Sequence, residues 1–140
     1  MTAAYLSAGP DGNHRPTVID EHHLRRMTLG DHRLEREVLE LFLRQTTLML
    51  NRIVGAEPPL AAAAAHTLKG SARGIGAWRV ARAAELVEQA AGGDGEDDGA
   101  ADTARGLDEA VAALEAATLE ASAAIATRLT TLLAELGRER

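Results

Sequence analysis

The 140-residue sequence contains no cysteine and has only one each of Trp, Tyr and Phe. Without cysteine the chain cannot form disulfides, thiolate metal sites or cysteine nucleophiles. Strands favour β-branched and aromatic side chains, and aromatic residues make up only 2% of this sequence. Alanine and leucine, which form helices readily, supply most of the apolar residues instead. The composition therefore predicts an all-α protein.

The sequence also lacks a long continuous apolar run, an excess of basic residues and a leader pattern. No apolar run reaches the length that crosses a bilayer. Residues 1–16 carry neither the basic region nor the apolar stretch of a signal peptide. The net charge of -6 and the pI of about 5.3 disfavour nucleic acid and anionic membranes as main partners. We therefore expect a cytoplasmic protein that binds neither nucleic acid nor a membrane.

Two aspartates predict where the first two helices begin. Asp20 can cap a short helix that stops at Gly30, and Asp31 can cap a second helix that ends near Gly55. Residues 1–16 are small and polar with glycine and proline, so we interpret them as a flexible arm. The second helix is supported by apolar residues that recur at helical spacing, namely Leu34, Val38, Leu41, Phe42, Leu48, Met49 and Ile53.

Three further helices are predicted downstream. Pro58 and Pro59 suit the first turn of a third helix, where a missing N–H costs little. A fourth helix is predicted from about residue 77 to 91. Residues 92–99 read GGDGEDDG, which we interpret as an acidic linker rather than a calcium loop, because an arginine stands where a bidentate glutamate is needed. A last helix, about residues 102–137, has apolar residues at alternating intervals of three and four.

Short connections between such helices predict an antiparallel up-down four-helix bundle with a short extra N-terminal helix and a long C-terminal helix. The bundle domain would span residues 17–140, with the last helix extending beyond the minimal domain. Because that helix is about twice as long as the third, one end must overhang the bundle, cover the N-terminal helix or meet a second copy. We expect a monomer, and self-association through the overhang is the alternative.

The third helix carries the most informative pattern, because His66, Lys69 and Gly70 share one stripe. A helix turns about 100° per residue, which places Lys69, Gly70 and Arg73 within about 60° of His66. His66 is therefore predicted to face solvent. A neutral imidazole can accept a phosphoryl group, Lys69 can pair with its oxygens, and Gly70 leaves room for a partner. The opposite stripe is apolar and consists of Ala61, Ala64, Leu68, Ala72 and Ile75.

No nucleotide-binding loop accompanies this histidine. The sequence has neither a GxxxxGK[ST] loop nor a glycine-rich pattern resembling a kinase nucleotide site. We therefore expect a phosphoryl carrier that neither binds ATP nor phosphorylates itself. His22 and His23 point about 100° apart on a helix, which makes them a poor metal pair, and no metal site is predicted.

The segment from His66 to Glu88, HTLKGSARGIGAWRVARAAELVE, resembles the core of a histidine phosphotransfer (HPt) domain of bacterial two-component phosphorelays. Together with the lead-in from Val18 to Phe42, the resemblance covers about residues 18–115. Arg73-Gly74 departs from the family pattern, which usually has a small residue and Asn there. The matching positions are His66, Leu68, Lys69, Gly70, Ser71, Ala72, Ile75, Gly76, Ala77, Val80 and Glu88.

The resemblance implies that an exposed phosphohistidine relays a phosphoryl group between receiver-domain aspartates, from a hybrid kinase to a response regulator. On the matching positions, His66 would accept the phosphoryl group, Lys69 would stabilise it and Glu88 would orient the imidazole. No cofactor is expected in this chain, since Mg²⁺ would belong to the partner receiver domain.

The expected receiver-docking surface consists of Gly70, Arg73, Leu24 and Met27. The alternative function is a helical interaction or dimerisation module in which the histidine is incidental. The dimeric histidine domain of a sensor kinase is disfavoured, because its histidine is usually followed by an acidic residue rather than by Thr67-Leu68-Lys69-Gly70.

Overall fold

The computed structural model describes residues 17–92 and 100–138, which form five α-helices and no β-strand. Consecutive long helices pack against each other, and the last helix also packs against the second and closes the bundle. The all-α fold with a short first helix and a long last helix is therefore confirmed. The predicted arm at residues 1–16 and the acidic stretch 94–99 lie outside the described residues. The helices are α1 (Glu21–Met27), α2 (His32–Ile53), α3 (Pro58–Ile75), α4 (Trp78–Ala91) and α5 (Ala100–Arg138).

Side-chain caps start α1 and α2 at the predicted places. Asp20 accepts a hydrogen bond from the backbone N–H of His23 at 3.1 Å. Asp31 accepts from the N–H groups of Arg33 at 2.9 Å and Leu34 at 3.1 Å. Each carboxylate satisfies N–H groups that have no carbonyl partner inside the helix, and it lies at the positive end of the helix dipole. The local sequence therefore determines where α1 and α2 begin.

The apolar residues of α2 divide between two faces. Phe42 and Ile53 are buried, whereas Leu34, Leu41 and Leu48 are 36%, 53% and 47% exposed. Seven residues are nearly two helical turns, so the three leucines form one stripe on the outer side of α2. In the sequence these residues form a single periodic set, and the structure separates them into a core face and a surface stripe.

The C-terminal half of α5 packs along the N-terminal part of α2. Arg128 donates from Nε to Glu35 Oε2 at 2.6 Å and from Nη2 to Oε1 at 3.1 Å. The Glu35 side chain is only 4% exposed in this pair, and Leu132 further along α5 is fully buried. His32 Nε2 lies 3.5 Å from Glu135 Oε1 at the end of the same contact. This half of α5 is therefore part of the bundle and does not overhang it.

The long α5 is also apolar enough to resemble a membrane span, which was not predicted from the sequence. By length and composition its segment Arg105–Arg138 could cross a membrane, since it contains an 18-residue window of mean hydropathy 1.3. A core helix of a helical bundle has the same length and composition, so this property is weak support for a membrane span. Leu114 and Leu132 are buried in the bundle and Arg128 forms an ion pair there, but only 22% of the apolar window is buried, so packing accounts for only part of the apolar character of α5.

Candidate functional site

His66 lies in the middle of α3 on its solvent side, with a side chain that is 68% exposed. Lys69 and Gly70 follow one turn later on the same stripe. A Cβ atom added at Gly70 would meet no atom within 4 Å, so open space lies beside this residue. The predicted orientation of α3 is correct, since the residues opposite His66 are all buried, namely Ala61, Ala64, Leu68, Ala72 and Ile75.

Packing of α4 against α3 brings Glu88 to His66 and Lys69. His66 Nδ1 lies 2.7 Å from Glu88 Oε2, and Lys69 Nζ lies 2.8 Å from Glu88 Oε1. Each carboxylate oxygen of Glu88 therefore contacts one of these two side chains. Lys69 is the more enclosed partner, with a side chain that is 15% exposed. Among the described residues, no hydrogen-bond partner reaches the other ring nitrogen, Nε2, of His66.

The charge on Glu88 determines which ring nitrogen carries the proton. The Lys69 ammonium beside Oε1 is the largest influence and lowers the pKa of the Glu88 carboxyl, partial burial opposes it, and the hydrogen bond with His66 lowers the pKa further. An ionised carboxylate only accepts hydrogen bonds, so Nδ1 of a neutral His66 must donate. The ring proton is then on Nδ1, and Nε2 presents its lone pair to solvent.

The corner between α3 and α4 is fixed by a close contact with Asp20. Gly76 adopts the left-handed φ of 81°, and a Cβ there would lie 2.9 Å from both Cβ and the carbonyl oxygen of Asp20. Asp20 N–H donates to the Gly76 carbonyl at 2.9 Å, and Trp78 Nε1 donates to Asp20 Oδ2 at 2.9 Å. Partial burial acts to raise the pKa of the Asp20 carboxyl, but hydrogen bonds from Trp78 and His23 outweigh it and lower the pKa. These contacts hold the turn between α3 and α4 in place.

The structure corrects one residue of the expected docking surface. Leu24 is only 1% exposed because it faces the core from α1, so it cannot form part of a docking surface. Met27, on the same helix, is 55% exposed. Arg73 is exposed on the stripe of His66.

A groove of about 250 Å³ lies between α1, α2 and α3 beside this stripe. Met27, Leu41 and Gly74 are among its lining residues. Leu41 was not predicted to be a surface residue. The seven-residue interval from Leu34 to Leu41 to Leu48 is the signal that could have identified it, because it marks a second apolar stripe on α2.

No group of three His, Asp or Glu side chains within residues 17–92 and 100–138 is arranged to hold a metal ion. The ionisable cluster at the site instead consists of one imidazole, one ammonium and one carboxylate. Such a set can position a nucleophilic ring nitrogen and can pair with a bound anion.

The family model described as Hpt domain matches residues 25–139. The chain belongs to the Hpt domain family. The match includes all of α5 and so extends further towards the C-terminus than residues 18–115, where the sequence motifs carry the resemblance. Neither the comparison with curated proteins nor that with solved structures gave a match. Hpt domains act in two-component phosphorelays as carriers of a phosphoryl group on histidine, without catalytic activity of their own, and they interact with receiver domains.

Proposed function

We propose that this Hpt protein relays a phosphoryl group between receiver-domain aspartates through Nε2 of His66, from a hybrid kinase to a response regulator. The observation that carries the proposal is the exposed imidazole whose Nδ1 is held 2.7 Å from Glu88 Oε2. This contact leaves Nε2 as the nucleophilic nitrogen, on the outer side of α3 where another protein can reach it.

The transfer is a displacement at phosphorus. The Nε2 lone pair forms the N–P bond while the bond between phosphorus and the receiver's aspartate oxygen breaks and leaves a carboxylate. Nδ1 keeps its proton, and the positive charge that develops on the ring is stabilised by Glu88. Transfer onward to a second aspartate reverses these changes. We expect the receiver to hold the Mg²⁺ that assists the reaction, and the phosphoryl group to come from another protein rather than from ATP.

The receiver would dock over Gly70 and Arg73 and would cover the groove beside them. The open space at Gly70 allows close approach. Met27 and Leu41, which are 55% and 53% exposed, offer apolar contacts at the groove. A protein with these partners and a net charge of -6 would work in the cytoplasm, away from nucleic acid and membranes.

The proposal is tested by incubating the chain with a labelled, phosphorylated receiver and measuring label that is stable in base and labile in acid, as on a phosphohistidine. In this assay Lys69→Ala should slow transfer by about tenfold, because one charge-assisted hydrogen bond to the phosphoryl oxygens is lost. Arg82→Ala is the matched control, since Arg82 is a cation on α4 whose side chain is 70% exposed. Equal rates for the native chain and Lys69→Ala would remove Lys69 from the mechanism.

One observation favours the alternative, an interaction module. Leu119 and Leu133 of α5 are 73% and 54% exposed, which leaves apolar surface on the outer side of this helix. Self-association through this surface would give twice the chain mass of 14.8 kDa in light scattering, whereas we expect the monomer mass. A doubled mass that returns to the monomer value in Leu119→Glu would establish the dimer. This substitution is preferable to removing the C-terminal half of α5, because such a truncation would also remove the core residues Ile125 and Leu132.

A further inference from the structure

The short helix α1 supplies part of the groove beside the His66 stripe, although little of α1 is buried. It has seven residues, and only Leu24 among them is buried. Met27, in its last turn, lines the groove and is 55% exposed. A single buried side chain leaves a short helix free to tilt and rotate about it. A second contact must therefore fix the orientation of α1, and with it the position of Met27.

Asp20 supplies this second contact at the start of α1. Its Oδ1 accepts a hydrogen bond from the backbone N–H of His23 at 3.1 Å and caps α1, while its Oδ2 accepts from Trp78 Nε1 at 2.9 Å. An aspartate is ionised at neutral pH, so the bond from the indole is charge-assisted. Since Trp78 is the first residue of α4, the two oxygens of one carboxylate tie α1 to α4.

The ring of His23 adds a further contact to the same tryptophan. The ring centroids of His23 and Trp78 lie 4.9 Å apart, with the ring planes tilted by 59°. His23 and Met27 are four residues apart and therefore share one stripe of α1. The rotation of α1 that brings His23 against Trp78 therefore also determines where Met27 lies at the groove.

We propose that Asp20 and Trp78 are positioning residues, whose hydrogen bond holds α1 in the orientation that presents Met27 to a docking receiver domain. This inference rests on the proposed function, since it requires a receiver that covers the groove. Both residues lie outside the ionisable cluster around His66. The bond between them therefore acts on docking and not on the displacement at phosphorus.

The first measurement is amide hydrogen exchange in α1, which needs no receiver domain. Trp78→Phe keeps an aromatic ring but has no N–H, and Asp20→Ser keeps an N-cap but has one oxygen instead of two. The probes are the N–H groups of Leu24 and Thr28, which donate to the carbonyls of Asp20 and Leu24 at 3.0 Å each. In both variants these amides should exchange about fivefold faster, because α1 has lost one hydrogen bond to the bundle.

The second measurement is label transfer from a phosphorylated receiver at increasing receiver concentrations. The concentration that gives half the maximal rate should rise by about threefold in both variants, because the receiver must order α1 again as it docks. The maximal rate should keep its native value, since His66 and its partners are unchanged. The double variant Asp20→Ser/Trp78→Phe should match the single variants, because all three lack the same bond.

Asp31→Ser is the matched control, since Asp31 caps α2 as Asp20 caps α1. Within the described part of the chain, its carboxylate accepts only from the N–H groups of Arg33 and Leu34, at the start of its own helix. This substitution should leave both the exchange in α1 and the half-maximal receiver concentration at their native values. Circular dichroism verifies that each variant is folded.

Three results would overturn the inference. The first is native exchange in α1 in both variants, and the second is faster exchange with an unchanged half-maximal receiver concentration. The third is a half-maximal concentration that rises in Trp78→Phe but not in Asp20→Ser, which would show that Trp78 contacts the receiver itself. A native chain that accepts no label would contradict the proposed function, and the exchange rates would still decide whether the bond holds α1.

Discussion

Replacing His66 with glutamine should reduce phosphoryl transfer from a phosphorylated receiver domain to background while the helical bundle remains intact. A carboxamide has no basic nitrogen lone pair that can attack phosphorus, so the acceptor atom is lost. The fold should be unaffected because the His66 side chain is 68% exposed, and surface substitutions usually change stability by less than about 0.5 kcal/mol. The measurements are the label retained on the chain after transfer and the circular dichroism spectrum of the variant.

The matched control for this experiment is His22→Gln. His22 is also an exposed helical histidine, but it lies on α1 and is not part of the cluster with Lys69 and Glu88. It should accept label at the native rate. Label that persists on the chain in His66→Gln, with the same stability in base and lability in acid, would place the acceptor on a different histidine and contradict the account.

Replacing Arg128 with methionine should destabilise the bundle by about 3–5 kcal/mol, because it leaves a buried carboxylate without its counter-ion. Glu35 is 3% exposed and receives two hydrogen bonds from Arg128, at 2.6 and 3.1 Å. The same pair raises the pKa of the Arg128 guanidinium through hydrogen bonding to Glu35, so the arginine stays charged. The measurement is the free energy of unfolding from urea titration followed by circular dichroism.

Two further variants separate the buried charge from other effects. Arg82→Met removes an exposed arginine whose Nη1 lies 3.8 Å from Glu85 Oε1, and it should cost less than about 1 kcal/mol. The double variant Glu35→Leu/Arg128→Met removes both buried charges and should recover most of the lost stability. A free energy for Arg128→Met within about 1 kcal/mol of the native value would show that the pair does not hold α5 against α2.

The parts of the structure that local sequence determines could be predicted. Asp20 and Asp31 cap their helices by bonding N–H groups two or three residues away, so the signal and the structure are neighbours in sequence. The exposed side of α3 followed from periodicity, because alanine and leucine recur opposite His66. Contacts between helices could not be derived in this way. The distance from His66 to Glu88 depends on how α4 packs, and only the family resemblance suggested that they meet.

The wrong placement of Leu24 and the unpredicted pair of Glu35 and Arg128 also result from packing between helices. α1 has only seven residues, too few to define an apolar face, and tertiary packing buried Leu24 while leaving Met27 exposed three residues later. Glu35 and Arg128 are 93 residues apart in sequence, and no local pattern pairs them. The sequence therefore left open whether the end of α5 overhangs the bundle, covers the N-terminal helix or meets a second copy, and the ion pair and the burial of Leu132 place it in the bundle.

The central claim is that Nε2 of His66 is the phosphoryl acceptor, and the most direct test is NMR of the ¹⁵N-labelled chain after phosphorylation by a receiver domain. We expect one-bond coupling between phosphorus and Nε2 of His66, with the proton still on Nδ1 beside Glu88. Coupling of phosphorus to Nδ1, or to any residue other than His66, would contradict the account, because the site geometry assigns Nδ1 to Glu88 and leaves Nε2 as the nucleophile.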